Sequence, residues 1–148
     1  MTPGMTEPAA HPRIDAPRIM IVDDDAEMRA LLRDALEREG FRVHEHAAAE
    51  GLMPLIASWA PHVVVLDKVM TGSSGLDVLR HLHRDHPETP VVFVTAFGGS
   101  EVETEARKLG AAYYMDKPFR VTRLLEVLKT VLGQAGAKHV RMANVDRT

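Results

Sequence analysis

Cysteine is absent from this chain of 148 residues, which excludes a disulfide framework and every thiolate metal site and agrees with a reducing compartment. Charge of one sign is also lacking. Eighteen Lys and Arg against 21 Asp and Glu leave a net charge of −3, so no global electrostatic case exists for binding nucleic acid. No apolar run approaches the roughly 20 residues needed to span a bilayer. The first twenty residues carry Pro3, Pro8, Pro12 and Pro17 with Glu7 and Asp15, not the basic start and apolar stretch of a signal peptide. A cytoplasmic protein without a membrane segment is expected.

What is present is an alternation of short apolar runs with helical patterns, on a length that suits one domain. Residues 1–16, rich in proline and small residues, read as a disordered lead-in, with Met5 a candidate alternative start. Strands are expected at 18–23, 41–45, 62–67, 91–95 and 112–115, and helices at about 26–38, 75–85, 101–109 and 120–132. In the first helix Met28, Leu31, Leu32, Ala35 and Leu36 recur at helical spacing, and Gly40 stops it. Segment 47–60 is read as a short or late-starting helix, because Gly51 and Pro54 interrupt it. Ser100 and Glu103 have capping-box spacing at the start of the 101–109 helix. Gly133 and Gly136 are expected to end the last helix, leaving 134–148 as a flexible tail. Three of the strands are continuous apolar runs, the pattern of strands buried on both faces. The fold class is therefore α/β, a doubly wound five-stranded parallel sheet with helices on both faces.

Ligands of such sheets bind beyond the carboxyl ends of the strands. Asp23, Asp24, Asp67, Thr95 and Lys117 all fall at or just past such ends. Carboxylates as close as Asp23 and Asp24 repel unless a cation lies between them. With no thiolate and no assigned histidine, the expected cation is hard and oxygen-bound, which suits Mg2+. The Asp-x-Asp-x-Asp-Gly spacing of a calcium loop is missing. A carboxylate beside a divalent cation can itself attack phosphorus to give an acyl phosphate.

Val22-Asp23-Asp24, then Leu66-Asp67-x-x-Met70, then Val94-Thr95-Ala96, then Tyr114-x-x-Lys117-Pro118-Phe119 closely resemble the receiver domain of bacterial two-component response regulators. The resemblance runs from about Arg18 to Leu132, within a domain placed at 17–133. It implies the flavodoxin-like strand order 2-1-3-4-5, an order the receiver fold itself exemplifies. It also makes Asp67 the phosphoryl acceptor and Asp23, Asp24, Asp67 and the Val69 backbone carbonyl the ligands of Mg2+. Thr95 and Lys117 would contact the phosphoryl group, Tyr114 would be the aromatic switch partner of Thr95, and Lys117-Pro118 would be cis.

Two departures from the family pattern stand out. Thr71 replaces the usual proline, so the 70–75 loop is expected to be more mobile. Val69 and Phe97, at positions that flank the attacking water's path in receivers, are apolar, so slow hydrolysis of the acyl phosphate is expected.

Blander readings compete at each position. Asp24 or Asp25 could simply cap the following helix, Asp67 could be a loop aspartate and Lys117 a solvated lysine; only their joint occurrence favours one site. His44 with His46, and His83 with His86, lack further ligands at metal spacing. The basic residues Lys138, His139, Arg141 and Arg147 form a weak cluster. A flavodoxin-type FMN binder would need a Ser/Thr/Gly-rich phosphate cradle where this chain has Asp23-Asp24-Asp25, and a two-aspartate phosphatase would need an aspartate at Val69. The expected function is a phosphoacceptor, not an enzyme acting on other molecules. Its expected partners are a sensor histidine kinase or histidine phosphotransfer protein and a downstream protein that reads the 101–109 helix, the 112–115 strand and the 120–132 helix. A phosphorylation-dependent homodimer is compatible with this reading, as is a receiver fragment of a larger regulator.

Overall fold

The computed structural model describes residues 16–70 and 73–147, with the backbone alone for Val69, Met70, Ser73 and residues 135–147. Its elements run β1 (Arg18–Val22), α1 (Ala26–Arg38), β2 (Arg42–His46), α2 (Leu52–Trp59), β3 (Val63–Asp67), β4 (Val69–Met70), β5 (Ser73–Ser74), α3 (Gly75–Asp85), β6 (Val91–Thr95), α4 (Ser100–Lys108), β7 (Tyr113–Asp116) and α5 (Val121–Arg147). The main sheet is parallel, in the order β2-β1-β3-β6-β7. Counting its strands alone, that is the expected 2-1-3-4-5.

Alternation along the strands sorts the core into two layers. Ile19, Ile21, Val63, Val65, Val92, Val94 and Met115 pack against Leu32 and Leu36 of α1 and Leu124, Val127, Leu128 and Val131 of α5. Met20, Val22, Val64, Leu66, Val91, Phe93 and Tyr114 pack against Leu52 and Ile56 of α2, Val78, Leu79 and Leu82 of α3, and Ala106 of α4. Every residue of β3 and β6 is buried. Each large apolar side chain so placed contributes about 1.5–3 kcal/mol relative to exposure, which is why the central strands tolerate no polar alternation.

Helix α1 starts at its expected place because Asp25 caps it, the carboxylate accepting from the backbone N–H groups of Glu27 and Met28. Helix α2 starts late, at Leu52, so that Pro54 falls in its first turn, where a missing N–H leaves no intrahelical bond unmade. Two expectations are corrected, and others fall outside the described residues. The capping box at Ser100 is not formed: Gly99 is the N-cap of α4 without a side-chain bond, and Glu103 pairs with Arg107 at 2.8 Å instead. Helix α5 continues through Gly133 and Gly136 to Arg147. A helical glycine costs only about 1 kcal/mol against alanine, a cost that helix-favouring neighbours such as Ala135 and Ala137 can offset. The pairing of β4 with β5, antiparallel, was not expected. The lead-in at 1–15 and the expected mobility at Thr71 and Gly72 lie outside the described residues, as do the side chains of the basic cluster at 138–147.

Candidate functional site

Register brings the acidic residues together. Ile21 pairs with Val65 and Val22 with Leu66, so the next step along the register puts Asp23, just past β1, beside Asp67, the last residue of β3. Asp67 pairs with Val94, and Thr95 with Asp116, which sets Lys117 one step beyond the edge of the sheet. Residues 94 positions apart in sequence thereby meet: the Lys117 ammonium lies 2.8 Å from Asp23 Oδ2 and 3.5 Å from Asp67 Oδ1. One cation that the paired carboxylates require is therefore a side chain of the chain itself.

Burial makes this cluster unlike a solvated acidic patch. Asp23 is 3 % exposed, Asp67 6 % and Thr95 not at all, whereas Asp24 faces solvent. Carboxylate oxygens of Asp23, Asp24 and Asp67 all lie within 4.8 Å of one another. Backbone and side-chain bonds fix the geometry. The N–H of Asp25 donates to Asp23 Oδ1 at 2.9 Å, and the Arg29 guanidinium donates to the Asp23 carbonyl at 2.6 Å. Lys68 N–H donates to Val94 O at 3.0 Å, and Gly75 N–H to Lys68 O at 2.6 Å. The loop after Asp67 thus folds back beneath it, where a Cβ on Gly75 would collide with the Asp67 carbonyl. Burial draws the pKa of Lys117 down, but the hydrogen bond and charge of Asp23, aided by Asp67, outweigh it, and the net shift is upward. Lys117 is accordingly held charged.

An oxygen-only set of three carboxylates, open on the side of Asp24, fits a hard divalent cation that keeps some of its waters. Thr95 stands at the far rim. Its Oγ1 accepts from the Phe97 N–H at 2.9 Å, which leaves the hydroxyl proton available for donation. Lys117 N–H donates to Thr95 O at 2.8 Å, and the Lys117-Pro118 peptide is cis, as the resemblance implied. Val69 lies two residues past Asp67 in β4. Tyr114 is buried in the layer facing α2 to α4, its ring stacked on Phe93 with centroids 6.4 Å apart.

Among the described residues, no histidine joins the cluster. His44 packs on Trp59, His46 contacts the Glu50 carbonyl at 2.7 Å, and His62 accepts from the Arg18 N–H at 2.9 Å.

Three contributions were not foreseen from the sequence. Lys68, next to the expected acceptor, reaches across to the Phe97 carbonyl at 3.3 Å. Arg29 steadies the end of β1. Asp116 accepts from the Tyr114 hydroxyl at 3.0 Å. Strand parity could have found the last, since residues 114 and 116 must share a face; nothing local marks the other two.

Comparison with known proteins agrees with this geometry. Residues 19–129 match the family described as response regulator receiver domain. NtrX, a nitrogen assimilation regulatory protein of Azorhizobium caulinodans, is 35% identical over 116 residues, 77% of this chain and 26% of that protein. PhoB, the phosphate regulon transcriptional regulatory protein of Pseudomonas aeruginosa, is 32% identical over 80% of this chain and 52% of its own length. This chain therefore spans about half the length, or less, of these curated relatives. A CheY-like response regulator receiver domain protein from Methanospirillum hungatei superposes with a TM-score of 0.81 at 27% identity, covering 84% of this chain and 99% of that one. NtrX from Brucella abortus gives 0.80 at 31% identity over 86% of this chain and 29% of that one. The match spans the sheet, the acidic strand ends and most of the helices, and the chain belongs to the response regulator receiver domain family.

Proposed function

We propose that Asp67 accepts a phosphoryl group from a phosphohistidine of a sensor histidine kinase or histidine phosphotransfer protein, and that the α4–β7–α5 face relays the change to a downstream protein. The observation that carries this reading is the buried meeting of Asp23, Asp67 and Lys117 with Asp24 at its open side. An Asp67 oxygen attacks phosphorus, the bond from phosphorus to the donor nitrogen breaks, and its electron pair leaves with the donor imidazole. Bound by Asp23, Asp24, Asp67 and the Val69 carbonyl, Mg2+ would neutralise phosphoryl oxygens and make the anionic donor approachable.

Lys117 supplies a second, permanent positive charge for the same oxygens, and Thr95 a hydroxyl donor. The transferred group brings about −1.5 to −2 of charge, if it titrates like a phosphorylated hydroxyl, and so favours the conformation that draws Thr95 and Lys117 toward it. In this reading the chain modifies only itself and is no enzyme toward other substrates. The reading applies to the receiver unit, whether it stands alone or belongs to a longer chain, and it places the unit in the cytoplasm. Among the described residues, no helix is long and apolar enough to cross a membrane.

Incubation with acetyl phosphate and Mg2+ should add one phosphoryl mass to the wild-type chain and none to Asp67→Asn. Incorporation that persists in Asp67→Asn would overturn the acceptor assignment.

A further inference from the structure

The corner between β6 and α4 carries a second arrangement. The Tyr114 hydroxyl donates to Asp116 Oδ1 at 3.0 Å and accepts from the Gly99 N–H at 3.3 Å. Gly98 leaves the room for it. A Cβ at that position would collide with the Tyr114 hydroxyl and would lie 2.6 Å from Asp116 Oδ1 and 3.1 Å from Thr95 Cγ2. The phenol therefore has a fitted seat: a donor, an acceptor, a stacking partner in Phe93 and a gap of one side chain. All of it is supplied by residues that the phosphoryl chemistry does not use.

We propose that Asp116 and the Gly98-Gly99 pair are positioning residues that hold Tyr114 turned in before any phosphoryl group arrives, so that the unphosphorylated chain already favours its signalling form. This rests on the reading of Tyr114 and Thr95 as the switch. The physical argument is a linkage. A buried hydroxyl without partners is penalised, whereas one with two partners is favoured by each bond it makes. Those bonds exist only with the ring inside. If the phosphoryl group selects the same ring position, the seat lowers the cost of reaching it, and phosphorylation and ring position favour each other. Burial first, and then the bond to Asp116, push the pKa of Tyr114 up, which makes the seat observable.

The chain has two tyrosines, so the seat can be followed by ultraviolet titration of the unphosphorylated protein. In the wild type one phenol should titrate above the ordinary range. In Gly98→Ala, whose methyl group fills the seat, and in Asp116→Ala, which removes the acceptor, that phenol should return toward it. The initial rate of phosphorylation by acetyl phosphate with Mg2+ should fall by roughly 2- to 10-fold, the span set by the net worth of one hydrogen bond, with the final stoichiometry unchanged. Tyr114→Phe, which keeps the ring and loses both bonds, should show the same loss of rate. Wild-type titration and rate in Gly98→Ala and Asp116→Ala would overturn the proposal. A wild-type chain that takes up no phosphoryl group at all would instead defeat the receiver chemistry, while the titration still reports on the seat.

Discussion

At the carboxyl edge of the sheet the two strand faces end differently. On the side of α1 and α5 the strands end in Asp23, Asp67 and Lys117, two buried carboxylates and a half-buried ammonium drawn together by register. On the side of α2 to α4 they end in Thr95, Tyr114 and Asp116, where two hydroxyls meet backbone N–H groups and only Asp116 carries charge, at an exposed position. The two ends meet at Thr95, whose carbonyl accepts from the Lys117 N–H and which pairs with Asp116 across the ladder. The first end suits chemistry, because charges held in place by the fold need little reorganisation. The second suits signalling, because a few hydrogen bonds of modest worth, only one of them to a charged group, can be exchanged for others.

The largest expected effect separates the two ends. Lys117→Met should slow phosphorylation by acetyl phosphate on the order of 10²-fold, the usual cost of losing one charge-stabilising donor, whereas Tyr114→Phe should stay within the smaller range given above. Equal losses in a stopped assay of initial rates would erase the distinction.

A second test concerns lifetime. Phe97 is 68 % exposed on the rim, and neither it nor Val69 can orient a water. Replacing both, with Asn at 69 and Glu at 97, should shorten the acyl phosphate half-life about tenfold, a change of ~1.4 kcal/mol in the barrier. Decay followed by intact mass, with no difference between the proteins, would discard the idea.

The smallest effect is on stability at alkaline pH. The pKa of Lys117 is raised by its carboxylate partners against the pull of burial. Protonated Lys117 therefore stabilises the fold in full below the unfolded value of about 10.4, and this contribution is lost as pH rises through the higher folded value. Tyr114, also raised, acts with the same sign, from about pH 10 upward. Thermal melts between roughly pH 9 and 12 should show the decline weakened in Lys117→Met and, separately, in Tyr114→Phe. An unchanged slope in both would mean that neither end of the sheet governs the alkaline limb.

The charged end was legible in the sequence because strand ends are marked by where apolar runs stop; Asp23 and Asp67 stop theirs, and Lys117 follows directly on the residue that stops the last. The run Asp23-Asp24-Asp25 was ambiguous between cap and ligand, and the structure divides it: Asp25 caps α1, while Asp23 and Asp24 face Asp67. The other end was legible in Thr95, which closes its apolar run, and in Tyr114 through the resemblance. Gly98 acts through a missing side chain, and an absence does not say what fills the space. Lys68 acts on the carbonyl of Phe97, far along the chain, and Arg29 on that of Asp23, back across the start of α1, and neither spacing is that of a regular helix or strand contact. Helix α5 outran its expected stop because two glycines weaken a helix without ending it.

The strand order leaves β2 and β7 at the borders of the sheet, and neither invites another strand. β2 reads Arg-Val-His-Glu-His, and Glu45 within it is bridged by Arg29 at 3.2 Å and Arg33 at 3.0 Å. β7 is four residues long, Arg123 covers its Tyr113, and Pro118 lacks the N–H that would extend the ladder. Charge and shortness at the two borders guard the protein against edge-to-edge aggregation, and they steer any assembly of copies to its helical surfaces.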